Sequence, residues 1–137
     1  MRIFFGIFLA TITNFFLGIV GFYLASYPFF SQFAPQYFQD DIAGTNYIYS
    51  FLLKFLVVLI LTWIMHRVMA MLDSPKKRVL FIFLLGSTFS VYYQINIFSD
   101  DNSIIWSVCT ILGESFNWLL TGYVLSKFVR PKHLGAN

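Results

Sequence analysis

The segment that decides the fold is residues 47–71, YIYSFLLKFLVVLILTWIMHRVMAM. From Phe55 to Met65 every residue except Thr62 is apolar. A helix needs about 20 mostly apolar residues to cross the hydrocarbon core of a bilayer. The segment therefore predicts a transmembrane helix, with Lys54 as its one charged residue away from the C-terminal end.

Three further segments on either side have the same character: residues 3–27, 79–98 and 103–129. The composition agrees, because 58% of the 137 residues are hydrophobic and 11% are charged, whereas soluble domains have roughly 45–50% and about 25%. A small soluble domain exposes too much of its surface to hide so many apolar side chains. The sequence therefore predicts an all-α fold, in which residues 1–137 form one polytopic membrane domain, an antiparallel bundle of four transmembrane helices.

The first segment has an alternative interpretation as a signal peptide, because Arg2 precedes it and the small residues Ala25 and Ser26 lie near its end. Its apolar core is longer than the roughly 7–15 residues of a signal peptide. Aromatic residues also continue past the candidate cleavage site. We therefore predict a helix that is retained in the membrane.

Basic residues fall on alternate connections between the predicted spans. Connections 28–46 and 99–102 contain acidic residues and no Lys or Arg. Loops rich in Lys and Arg stay in the cytoplasm. The pattern predicts a multi-pass protein of the cell inner (plasma) membrane with both termini cytoplasmic, and it accounts for the net charge of +3 without a nucleic-acid partner. The basic residues outside the spans or at their cytoplasmic ends are Arg2, Arg67, Lys76, Lys77, Arg78, Lys127, Arg130 and Lys132.

Polar side chains inside the predicted spans form the candidate site: Asn14, Lys54, Thr110, Glu114 and Asn117. Those on span four, together with Thr121, recur at steps of four, three and four residues, which places them on one helical face. A charge near the bilayer centre costs at least about 2.5–3.5 kcal/mol. Three arrangements would reduce this cost: an ion pair between Lys54 and Glu114, protonation of Glu114, or snorkelling of Lys54 to the outer interface.

Small residues recur with a similar spacing on span one: Ala10, Gly18, Gly21 and Ala25, with Asn14 among them. Small residues let membrane helices approach each other closely. We therefore expect this face to pack against the polar face of span four. That packing would place Asn14 near Glu114 or Asn117.

The sequence contains no motif for catalysis, metal binding or cofactor binding, so we expect neither an enzyme nor a bound cofactor. Cys109 has no nearby His and is predicted to be a core residue. The first hypothesis is a small inner-membrane protein that acts through helix–helix contacts, as an accessory subunit, assembly factor or immunity-type factor. Its partners would be the lipid bilayer and a second copy or a larger membrane complex. The alternative is a small oligomeric proton-coupled transporter or channel that uses Glu114.

Overall fold

The computed structural model describes residues 2–21, 47–94 and 103–129. Within these residues the chain forms four α-helices and no strand, which confirms the all-helical prediction for this part of the chain. A 3₁₀ turn at Met69–Met71 follows the second helix. The helices are α1 (Arg2–Gly21), α2 (Tyr47–Arg67), α3 (Pro75–Gln94) and α4 (Ser103–Phe128).

The observed helix ends differ from the predicted ones at the connection between α2 and α3. Helix α2 ends four residues before the predicted boundary at residue 71, because the chain continues as the 3₁₀ turn. Helix α3 begins at Pro75 rather than at residue 79. Pro75 is suited to the first helical position, where no N–H is needed, and Ser74 Oγ accepts a hydrogen bond from the Lys77 N–H at 3.3 Å, the geometry of an N-cap. The predicted ends at 22–27 and 95–98 lie outside the described residues.

Helix α4 lies between α1 and α3 and runs antiparallel to both. Along α1, the ring of Phe5 lies 5.7 Å from that of Phe128, and Asn14 is hydrogen-bonded to Thr121. Residue numbers therefore rise along one helix as they fall along the other. Helix α2 packs against α1, where the rings of residues 15 and 51 are edge to face at 5.4 Å.

Glycines mark the closest approaches between helices. A Cβ at Gly122 would lie 2.9 Å from the Val79 carbonyl oxygen, and a Cβ at Gly86 would overlap the Trp118 indole. These two contacts also make α3 and α4 antiparallel. At the other side of α4, a Cβ at Gly6 would lie 2.5 Å from the Cβ of Phe128. Only glycine leaves room for the neighbouring helix at these positions, for a backbone carbonyl at Gly122 and for an aromatic side chain at Gly86 and Gly6.

The described surface is largely apolar, whereas the interior contains polar side chains. Two helices, α1 and α2, are long and apolar enough to cross a membrane, which suggests a membrane protein. The outer face of α2 exposes Ile48, Leu52, Leu53, Leu56, Ile60 and Trp63. The buried polar side chains include Thr11, Asn14, Thr62, Ser107, Asn117, Thr121 and Ser126, among an apolar core that includes Leu61, Met65, Ile82 and Leu125.

Candidate functional site

Lys54 on α2 is the centre of a polar network that joins three helices. Its Nζ lies 3.1 Å from Oε1 and 3.3 Å from Oε2 of Glu114 on α4. The same ammonium group donates a hydrogen bond to Oδ1 of Asn14 on α1 at 2.9 Å. Of the three arrangements that would reduce the cost of these charges, the structure contains the ion pair.

The acceptors around Lys54 match the number of its donors. An ammonium group has three N–H donors and no acceptor, and three oxygen atoms lie within hydrogen-bonding distance of it. Hydrogen bonds between an ammonium and a carboxylate are stronger than those between neutral groups. The pair is only partly buried, however: 27% of the Lys54 side chain and 29% of the Glu114 side chain are exposed.

Asn14 connects the ion pair to the interior of the α1–α4 contact. It is fully buried, and its Nδ2 donates a hydrogen bond to Thr121 Oγ1 at 2.9 Å. Thr121 Oγ1 in turn donates to the Asn117 carbonyl oxygen at 2.7 Å. The amide orientation follows from this network, because the reverse orientation would turn the NH₂ group towards the Lys54 ammonium.

The predicted site residues are therefore brought together in part. Asn14 and Glu114 each contact the ammonium group of Lys54 directly. Asn117 is buried, and its Nδ2 lies 3.8 Å from a Cβ placed on Gly18. Thr110 is half-buried, and no hydrogen bond joins it to the other described members of the site.

Thr121 is the threonine that joins the network, and the prediction of the site residues missed it. The signal was present, because Thr121 lies four residues after Asn117 on the same face of α4. Spacing alone does not distinguish the two threonines of this face, Thr110 and Thr121, as members of the network. The choice between them depends on the depth at which Asn14 of α1 meets α4.

The small residues of α1 are not equally close to their neighbours. Ala10 is fully buried, and a Cβ on Gly18 would make only ordinary contacts at 3.8 Å. Within the described residues no atom lies within 4 Å of a Cβ placed on Gly21, and Ala25 lies outside them. The closest approach is at Gly6, where an added Cβ would lie 2.5 Å from Phe128 Cβ. The prediction missed Gly6, although its spacing of four residues from Ala10 places it on the same face.

The chemistry of the site is that of an ion pair with amide and hydroxyl groups. No group of three metal-ligating side chains is present among the residues that the structure describes. Cys109 was predicted to be a core residue, and this is wrong, because its side chain is exposed on α4. Comparisons with protein-family models, with curated protein sequences and with solved structures gave no match.

Proposed function

We propose that this chain is a multi-pass protein of the cell inner membrane that works through contacts between helices. In this proposal the four helices all span the bilayer, with both termini in the cytoplasm. The protein is an accessory subunit, an assembly factor or an immunity-type factor. The observation that supports this function best is the satisfied network of Lys54, Glu114 and Asn14, which joins three helices.

The distribution of apolar side chains supports the membrane location. Exposed apolar surface costs about 25 cal/mol per Å² in water, and soluble monomers rarely expose continuous apolar patches above a few hundred Å². Helix α2 exposes Leu53 to the extent of 63% and Ile48 to 72%. In lipid these side chains are in their preferred solvent.

The positions of the charges support the proposed orientation. Arg2 Nη2 lies 3.4 Å from the Lys127 carbonyl oxygen, which places the start of α1 beside the end of α4. The connection between α2 and α3 lies at the same end, because Val79 contacts Gly122. The positive-inside rule then assigns this end to the cytoplasm.

The network supports a structural role for the charged pair because each of its polar groups has a partner. An ion pair that is satisfied in one geometry fixes the register of the helices that supply it. A register fixed in this way holds the outer faces of α2 and α4 in a constant arrangement. Those faces are then available to bind a second copy or a larger membrane complex.

The orientation can be tested by thiol labelling of single-cysteine variants. After Cys109→Ala, cysteines are placed at Ser31, Ser74, Ser99 and Ala136, one in each variant. An impermeant thiol reagent applied to intact cells is expected to label positions 31 and 99 only. Labelling of position 74 or 136 from outside would reverse the proposed topology.

The role in helix contacts can be tested by photocrosslinking in cells. A photoreactive amino acid is placed at the exposed positions Leu53 and Leu56 on α2 and Leu112 and Phe116 on α4. We expect protein crosslinks from one helix face to a single partner or to a second copy. The buried position Leu61 is the matched control and should give no crosslink to another protein or to a second copy. If every exposed position crosslinks only to lipid, the proposed function fails.

A second candidate function is proton-coupled transport through Glu114. The observation that favours it is the partial exposure of the ion pair, 27% and 29% for the two side chains. Reconstituted protein in liposomes with an internal pH-sensitive dye would be compared with Glu114→Gln, which keeps the shape of the side chain but cannot titrate. Proton movement by the wild type that the variant loses supports transport. Equal proton movement, or none in either protein, leaves the structural role.

A further inference from the structure

The end of the bundle that contains the start of α1 and the end of α4 is strongly basic. Among the described residues, five exposed cations lie at this end: Arg2, Arg67, Lys76, Lys77 and Lys127. Asp73 is the one carboxylate described there, and it already pairs with Lys77 at 2.9 Å. The surface therefore has an excess of positive charge that its own acidic residue does not neutralise.

Two of these cations lie over exposed aromatic rings. The guanidinium carbon of Arg67 is 5.3 Å from the centre of the Trp63 ring on α2, and Lys127 Nζ is 4.9 Å from that of Tyr123 on α4. The rings are 58% and 54% exposed. In both pairs the ring lies one turn further from the basic end than the cation.

This order of chemical groups matches the layers of a bilayer surface. Trp and Tyr favour the level of the headgroups, where one edge of the ring is apolar and the other is wet. Beyond the rings, towards the middle of the bundle, the surface of α2 and α4 is apolar, with Ile60 and Leu119 exposed. An acyl chain would contact this apolar surface while its headgroup lies at the level of the cations.

We propose that the basic end binds anionic phospholipid headgroups, through Arg67 beside Trp63 and Lys127 beside Tyr123. The inference rests on the proposed membrane location and adds a preferred lipid to it. Each Lys or Arg near an anionic membrane surface attracts anionic lipid and raises its local concentration roughly fivefold. A phosphate group also accepts the hydrogen bonds that guanidinium and ammonium groups donate.

The test uses the full chain in nanodiscs of phosphatidylcholine that contain a minor fraction of phosphatidylglycerol brominated on its acyl chains. Bromine quenches tryptophan fluorescence at short range. Because the chain has three tryptophans, the contribution of Trp63 is read as the difference between the wild type and Trp63→Phe. We expect stronger quenching by brominated phosphatidylglycerol than by the same fraction of brominated phosphatidylcholine. The excess should disappear in Trp63→Phe, and it should fall at least about fivefold when Arg67→Gln and Lys127→Gln are combined.

Two matched variants separate charge from side-chain shape. Arg67→Lys with Lys127→Arg retains both charges and should retain the preference, whereas Asp73→Asn removes the local negative charge and should increase it. High salt should weaken the preference, because screening shortens the range of the attraction. Equal quenching by the two lipids would overturn the assignment and would favour an acidic protein as the partner of this surface. A chain that does not enter nanodiscs at all would instead contradict the membrane location itself.

Discussion

Two ion pairs in this protein have nearly the same length and very different surroundings. Lys54 and Glu114 are 3.1 Å apart and join α2 to α4, whereas Asp73 and Lys77 are 2.9 Å apart within one turn of chain. The exposed fractions are 27% for Lys54 and 29% for Glu114, against 69% for Asp73 and 56% for Lys77. Exposed pairs contribute little to stability, whereas breaking a pair that is mostly buried, as Lys54–Glu114 is, leaves an uncompensated charge. The difference teaches that surroundings, not distance, decide what each pair contributes.

The largest expected effect is the loss of one partner of the inter-helix pair. Lys54→Met and Glu114→Gln should each lower the free energy of unfolding by about 3 kcal/mol, because the remaining polar or charged group loses its partner. The double variant should recover much of this loss. The measurement is unfolding in a fixed detergent, followed by circular dichroism for the wild type, both single variants and the double variant. Additive losses would contradict a direct interaction between the two residues.

A smaller effect is expected at Asn14, which connects the pair to Thr121. Asn14→Ala removes an acceptor of Lys54 and the donor to Thr121, which should cost about 1–3 kcal/mol. Thr121→Val is the matched variant, because it keeps the side-chain volume and removes only the hydroxyl group. It should cost less, since the hydrogen bond from Lys54 to Asn14 remains. A Thr121→Val loss equal to that of Asn14→Ala would mean that Lys54 gains nothing from Asn14.

Gly18 offers a steric way to disturb the pair without removing a charge. A Cβ there would lie 3.8 Å from Lys54 Nζ and 3.8 Å from Asn117 Nδ2, an ordinary contact distance. Gly18→Ala should therefore be tolerated, whereas Gly18→Leu should displace the ammonium group and cost about 1–3 kcal/mol. Much of that loss should be absent in a Lys54→Met background. A loss that is equal in both backgrounds would assign it to α1–α4 packing instead of the ion pair.

Much of the inter-helix pair could be predicted from the sequence, and the reason is physical. Lys54 and Glu114 are opposite charges in otherwise apolar segments, so each strongly favours a partner. Asn14 could be placed by helical spacing on the face that contacts α4. Thr121 and Gly6 could not be chosen over Thr110 and Gly21, because spacing gives a face but not the level at which a second helix crosses it.

The exposed pair and its neighbours were less predictable. Arg78 was assigned from sequence to the basic loop that sets the orientation, yet it is 3% exposed. Its Nη1 donates to the Leu72 carbonyl oxygen at 3.1 Å, so it stabilises the connection between α2 and α3. That contact depends on the 3₁₀ turn, and hydropathy cannot distinguish such a turn from another turn of α-helix.

The smallest effect is expected at the exposed pair, where pH is the sharper probe. The hydrogen bond and the positive charge of Lys77 lower the pKa of the Asp73 carboxyl group below its ordinary value of 3.8. A carboxyl group with a lowered pKa in the folded state stabilises that state above its ordinary pKa, and this contribution is lost as the pH falls through the folded-state pKa. Carboxyl-carbon NMR titration of Lys77→Met should therefore give an Asp73 pKa closer to 3.8.

At neutral pH, neither Asp73→Asn nor Lys77→Met should change the unfolding midpoint measurably, because solvent screens the exposed pair. Asp73→Asn keeps the backbone carbonyl oxygen of residue 73, to which Arg78 Nη1 donates at 3.4 Å. The same unfolding assay compares these two variants with Glu114→Gln. A destabilisation by Asp73→Asn as large as that by Glu114→Gln would break the comparison, because two pairs of similar length would then contribute equally despite their different surroundings.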